Sequence, residues 1–193
     1  MANNKSKKKY GVIGGIAAAA VIITTAFVAS SLSLQTSSGS SITTASLNGN
    51  VQEGLQVGNS APGFSLIDPE KGSITKQTFA GKPVLIFFTT TWCTPCQIGA
   101  QNLARFDDET GGNAFNVLIV FVDPRENYPQ YLDWREKYGR SDWYVAESEQ
   151  MPQEYKVQYL DTKYVFDGNG IIKWVDASPL EYSKAKQVLE PLI

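Results

Sequence analysis

The sequence predicts an α/β sandwich with a mixed central sheet, preceded by one N-terminal transmembrane helix. Three observations carry this. Two short apolar runs, Pro83–Thr89 (PVLIFFT) and Phe115–Val122 (FNVLIVFV), each lead into a helical pattern. The turn Asp167-Gly168-Asn169-Gly170 separates two further runs. A charge-free stretch near the start follows a cluster of lysines.

Residues 1-10 hold Lys5, Lys7, Lys8 and Lys9, and from Gly11 to Ala29 there is no charge. At roughly 1.5 Å per residue the stretch 11-29 spans about 28 Å, close to the hydrocarbon thickness of a bilayer. It reads as a single-pass anchor. The lysines then stay in the cytoplasm and the rest of the chain lies outside the cell membrane. The alternative is a removed signal peptide ending at the small residues Val28-Ala29-Ser30. A buried core helix fits poorly with the lysine run and the polar tail that follows. Residues 30-50 are rich in Ser, Thr, Gly and Asn and carry no charge. They bury too little to fold and read as a flexible tether. The folded domain is expected over 51-193, long enough for one core.

All 19 acidic residues lie in that domain, with 13 of the 17 basic ones, the other four being the N-terminal lysines, so its net charge is −6. A nucleic-acid partner is disfavoured. No internal repeat is present.

Along the domain, Phe64–Ile67 and Ser73–Thr75 bracket Pro69-Glu70-Lys71-Gly72 and predict an edge hairpin. Pro83–Thr89 is a continuous apolar run of β-branched and aromatic residues, suited to a strand buried on both faces. Pro95 to about Asp108 predicts a helix, stopped by Gly111-Gly112. Phe115–Val122 predicts a second buried strand, ending at Asp123-Pro124. Tyr128–Tyr138 predicts a helix closed by Gly139, and Trp143–Ala146 a short strand. Thr162–Phe166 and Ile171–Val175 form a hairpin about the Asp-Gly-Asn-Gly turn. Leu180–Leu192 predicts a closing helix. A strand–helix–strand–helix unit followed by a hairpin and a helix is the pattern of an α/β sandwich with a mixed sheet.

The two cysteines of the chain now have a place. Cys93 follows a buried strand and opens a helix, where backbone N–H groups and the macrodipole favour an anion. A thiolate is such an anion, and it is the form that attacks disulfides. Cys96 lies one turn on, near enough to close a disulfide. Pro95 sits early in the helix, where its missing N–H costs little, and Trp92 can shield the site. Half of a structural zinc site is the first alternative. Zinc takes about four Cys or His ligands, and the chain has two Cys and no His. A purely structural disulfide is the second, but so small a loop constrains the unfolded chain little. A redox-active dithiol is the better use of this spacing in this place.

The run VLIFFTTTWCTPC resembles the active-site segment of thioredoxin-like proteins, most closely the membrane-anchored TlpA/ResA-like branch. The resemblance extends upstream through VGNSAPGFSLIDPEKGSITKQTFAGKPVLIFF and downstream through FNVLIVFVD and YKVQYLDTKYVFDGNGII. It covers nearly all of Val57–Ile193. It implies a thioredoxin-like fold and an extracytoplasmic thiol–disulfide oxidoreductase. Cys93 is then the attacking thiol and Cys96 the resolving one, with Trp92, Thr94 and Pro95 shaping the site. Protein thiols and disulfides are the implied partners, an integral membrane thiol carrier the implied electron donor, and no cofactor beyond the dithiol is required.

Three positions depart from the family pattern. Asp161 stands where the family has a cis-proline facing the dithiol. A cis bond before a non-proline residue costs roughly 2.5–4 kcal/mol, so a trans peptide and a different loop are expected. Phe87 stands where thioredoxins bury an aspartate, six residues before the first cysteine. Gly99 stands where ResA-like members often carry a glutamate. The resemblance would place the Asp161 carboxylate beside the sulfurs as a replacement; the other reading of Asp161 is a solvated loop residue.

Three rival functions fit parts of the sequence. A Sco-like copper chaperone shares the fold and resembles FVDPRENYPQYLDWREKYG, but its site uses a histidine and a wider cysteine spacing. A cysteine-only copper(I) site remains chemically open. A thiol peroxidase matches Thr90-Thr91-Trp92-Cys93 but lacks the family's proline, at Ile86. A redox-inactive binding module is the third.

Overall fold

Residues 51–193 are described by a computed structural model. The anchor and tether expected over 1-10, 11-29 and 30-50 lie outside the described residues. Among the described residues no helix is long and apolar enough to cross a membrane.

The elements run β1 (Ser65–Asp68), β2 (Gly72–Thr75), β3 (Val84–Thr89), α1 (Thr94–Glu109), β4 (Asn116–Phe121), α2 (Tyr128–Tyr138), β5 (Tyr144–Glu147), α3 (Gln150–Glu154), β6 (Lys163–Phe166), β7 (Ile172–Asp176) and α4 (Tyr182–Leu189). The main sheet has the order β5-β4-β3-β6-β7. β3, β4 and β5 are parallel to one another, whereas β6 runs antiparallel to β3 and β7 to β6. This is the mixed sheet the pattern predicted. The hairpin β1–β2 forms a separate two-stranded sheet.

Every position of β3 is buried, which is why its sequence is continuously apolar and not alternating. Its side chains still alternate between two cores. Leu85 and Phe87 join Val117, Ile119 and Phe121 of β4, Leu103 and Phe106 of α1, and both cysteines. Val84, Ile86 and Phe88 join Leu118 and Val120 on the other face, with Leu66, Ile74 and Tyr155. The dithiol therefore belongs to the face covered by α1, α2 and α4.

Buried polar groups fasten the far parts of the sheet. Asp68, at the end of β1, accepts hydrogen bonds from the backbone N–H groups of Glu70 and Lys71 (both 2.8 Å) and of Val145 (2.9 Å). One carboxylate thus shapes the β1–β2 turn and ties it to β5. In the β6–β7 turn, a Cβ on Gly168 would come within 2.7 Å of the Gly81 carbonyl carbon, and Gly81 N–H donates to the Gly168 carbonyl (2.8 Å). Only glycine allows that approach.

Beyond one-residue shifts at strand ends, two elements differ from expectation and one was not expected. Trp143 lies before β5 and is buried, its indole N–H donating to Asp107 of α1 at 2.7 Å. The closing helix is shorter than Leu180–Leu192: Leu180 packs before it, and Glu190–Leu192, which contains Pro191, tightens into a 3₁₀ turn. The five-residue helix α3, with Pro152 inside it, is too short to leave a periodic signal.

Candidate active site

The parallel register of β3 and β4 aligns Thr89 with Phe121, so both strands end together. The segments Thr90–Cys93 and Val122–Glu126 then leave the sheet side by side. Cys93 takes the N-cap position of α1 with extended backbone (φ −74°, ψ 96°), and no side chain caps the helix. Thr94 and Pro95 fill the first two helical positions and are exposed. Cys93 and Cys96 are joined in a disulfide with Cα atoms 5.3 Å apart. Cys96 is fully buried, whereas Cys93 retains 7% exposure. Of the two, the residue at the helix N-terminus is thus the less buried. When the bond is reduced, its thiolate meets the unpaired N–H groups and the positive end of the helix dipole.

Two acidic residues that the sequence reading left out brace this segment. Asp123 accepts from the Trp92 indole N–H (3.2 Å) and from the Arg125 guanidinium (2.8 and 2.6 Å). The Arg125 hydrogen bonds hold the Asp123 carboxyl well below the usual carboxylate range. Trp92 keeps 60% exposure beside the disulfide. Glu126 Oε1 accepts from the Thr91 backbone N–H (2.7 Å) and from the Thr91 hydroxyl. Gln97, on the first turn of α1, donates to the Thr91 carbonyl (2.7 Å). The carboxylates after β4 thereby fix the approach to Cys93. The sequence carries only a weak signal for them, two carboxylates just after an apolar strand, because their contacts depend on the parallel pairing of β3 and β4.

Asp161 is not a solvated loop residue. It is 4% exposed, and Lys163 at the start of β6 is fully buried. The Lys163 ammonium donates to Asp161 Oδ1 (2.6 Å), to the Asp161 carbonyl and to the Ser178 carbonyl (2.9 Å). All three of its N–H groups are used. Burial pushes the Asp161 carboxyl up and the Lys163 ammonium down, and their mutual attraction opposes both shifts. Asp161 adopts a left-handed backbone, φ 70°. Aspartate tolerates this region better than most residues, and proline, fixed near −65°, cannot enter it. Its N–H donates to the Phe88 carbonyl (3.1 Å), while Phe88 N–H donates to the Thr162 carbonyl (2.9 Å). The loop at the cis-proline position is therefore built differently, as the departure in sequence implied. The sequence reading missed Lys163, although a lysine two residues from Val165 in a predicted strand falls on the same, inward face.

Phe87 and Gly99 explain each other. Phe87 is fully buried, and a Cβ on Gly99 would sit 3.2 Å from Leu180 Cβ and 3.7 Å from the Phe87 ring. The space beside Gly99 is filled by the aromatic ring and Leu180.

Comparison with known proteins decides the family. Residues 57–175 match the AhpC/TSA family. The chain belongs to the AhpC/TSA family. Among curated relatives it is 26% identical over 139 residues to the thioredoxin-like protein YneN of Bacillus subtilis, covering 71% of this chain and 81% of that one. It is 28% identical over 140 residues to the thiol-disulfide oxidoreductase ResA of Geobacillus thermodenitrificans, covering 72% and 79%. Its fold is similar to the thioredoxin domain of a thiol-disulfide oxidoreductase from Bacteroides vulgatus, with TM-score 0.61, 21% identity, and coverage of 72% and 98%. It is also similar to a thioredoxin-family thiol:disulfide interchange protein from Chlorobium tepidum, with TM-score 0.60, 17% identity, and coverage of 69% and 94%. The expected thioredoxin-like fold is thereby established.

Proposed function

We propose that this chain is a thiol–disulfide oxidoreductase acting outside the cytoplasm on protein thiols and disulfides. The observation that carries the reading is the Cys93–Cys96 pair at the start of α1, with Cys93 the less buried of the two. The Cys93 thiolate attacks a substrate disulfide, forming a mixed disulfide and releasing one substrate thiolate. The Cys96 sulfur, as thiolate, then attacks Cys93. This closes the internal disulfide and expels the second substrate thiolate. In the reverse direction a substrate dithiol is oxidised and the internal bond is opened. The relatives named as thiol-disulfide oxidoreductases support this chemistry.

Cys93→Ser is expected to reduce insulin-disulfide exchange to background, while Cys96→Ser accumulates mixed disulfides with substrate. Labelling of Cys96 before Cys93 by limiting alkylating reagent would reverse the assignment. Peroxide consumption matching the exchange rate would favour the peroxidase reading instead.

The lysine cluster and uncharged stretch 11-29 support anchoring in the cell membrane with the domain outside, where an integral membrane thiol carrier would serve as electron donor. Protease added to intact cells is expected to release a fragment beginning within residues 30-50. Recovery only of a soluble form starting near Ser30 would replace the anchor with a cleaved signal.

A further inference from the structure

The dithiol exchanges electrons inside a face of the sheet that also holds a buried ion pair. Lys163 and Val165 share that face of β6, and Val165 lies in the same core cluster as both cysteines. The Lys163 ammonium stands 4.8 Å from the centre of the Phe87 ring. Phe87 packs in that cluster with Cys93 and Cys96, and its ring borders Gly99 on the first turns of α1. The Phe87 ring thus belongs both to the surroundings of the ammonium and to the cluster that holds the sulfurs, and in so buried a setting the field of the pair is weakly screened.

The pair is also incompletely satisfied. Every Lys163 proton has an acceptor, but Asp161 Oδ2 is buried and takes no hydrogen bond among the described residues. A carboxylate tied only for structure would ordinarily have both oxygens paired. Among the described residues the groups that face the pair are Asp176 on β7, the Ser178 carbonyl before α4 and the Phe87 ring on β3. Asp176 is engaged by the backbone N–H groups of Ala177 and Ser178.

We propose that Asp161 and Lys163 are positioning residues of the dithiol: a buried opposed-charge pair that sets how readily the sulfurs of Cys93 and Cys96 carry negative charge, and with it the direction in which the protein exchanges disulfides. This rests on the exchange reading above. Opening the Cys93–Cys96 bond by a substrate dithiol leaves two reduced sulfurs here and a disulfide in the substrate. Whatever stabilises the thiolate stabilises the reduced protein and makes it the stronger oxidant. The ammonium favours the thiolate and the carboxylate opposes it.

The two single variants therefore move the dithiol in opposite directions. In the reduced full chain, Asp161→Asn unmasks the ammonium. It is expected to shift the thiolate ultraviolet titration to lower pH and the glutathione equilibrium toward the reduced protein by roughly threefold or more, the ratio that half a pKa unit represents. Lys163→Met is expected to shift both the other way. Shifts of the same sign, or no shift in either variant, overturn the proposal, because a merely loosened loop would move both alike. Should Lys163→Met not fold, Asp161→Asn alone decides: an unmoved or upward titration overturns the proposal. The titration needs no substrate. Failure of the wild type to equilibrate with glutathione would overturn the exchange reading, while the titration would still decide the role of the pair.

Discussion

Asp68 and Asp161 are both aspartates buried to within a few per cent, and they serve opposite ends of the molecule. Asp68 has both oxygens filled by three backbone N–H groups and makes no ion pair among the described residues. Asp161 has one oxygen on a buried ammonium and one on nothing. The first is a fastener: a carboxylate matched to donors that the fold itself leaves over. The second holds a charge that a local structural task does not use up. Burial alone thus does not separate structural from functional carboxylates here; the partners of each oxygen and the face on which the residue lies must be taken together.

The largest expected effect is at Asp68. Asp68→Ala leaves the N–H of Val145 unpaired in a buried setting and those of Glu70 and Lys71 unpaired in a turn. With unmade buried hydrogen bonds costing about 1–3 kcal/mol each, and the turn donors recovering water, the loss should be about 2–4 kcal/mol. Denaturant unfolding of the oxidised full chain measures it. The glutathione equilibrium of the molecules that remain folded is expected to stay at the wild-type value. A shifted equilibrium at Asp68→Ala would break the comparison, since the hydrogen-bond partners of Asp68 are the N–H groups of Glu70, Lys71 and Val145 and not the dithiol.

The contrast also marks how much was legible in the chain. β3 and β4 were plain because a strand buried on both faces must be apolar throughout. The helix opening at Cys93 followed from what a thiolate, a proline and a strand end can do together. Asp161 was singled out, but whether it was solvated or buried turned on Lys163, whose side chain reaches back two residues to it. Sequence periodicity assigns Lys163 to a face but cannot show that the Ser178 carbonyl, 15 residues on, completes its shell. The braces at Asp123 and Glu126 were hidden for a similar reason. They touch Trp92 and Thr91 only because β3 and β4 pair in parallel register, and register is a tertiary fact.

Asp107 supplies the sharper control, with a smaller effect. It is buried on α1 and accepts from the Trp143 indole at 2.7 Å, with the Arg140 guanidinium 3.3 Å away, while its Oδ1 is unpartnered. Like Asp161 it is half-satisfied, and burial raises its carboxyl above the usual range against the opposing hydrogen bond from Trp143. Unlike Asp161 it lies 11 residues along the helix from Cys96, about 16 Å at 1.5 Å per residue. A carboxyl whose pKa is raised on folding binds more protons in the native state than in the unfolded one. Its contribution to stability is therefore largest below the unfolded value near 3.8, falls as pH rises toward the folded pKa, and is constant beyond it. Asp107→Asn keeps an acceptor for the indole and removes the titration. It is expected to flatten that fall, with a net change at neutral pH of about 1 kcal/mol or less because the Arg140 attraction is lost together with the burial cost. Unfolding midpoints across the acid range, compared between variant and wild type, measure this. The thiol titration of Asp107→Asn should match that of the wild type. A shift there comparable to that of Asp161→Asn would mean that any half-satisfied carboxylate in this core disturbs the sulfurs. Placement on the dithiol face beside Phe87 would then no longer distinguish Asp161.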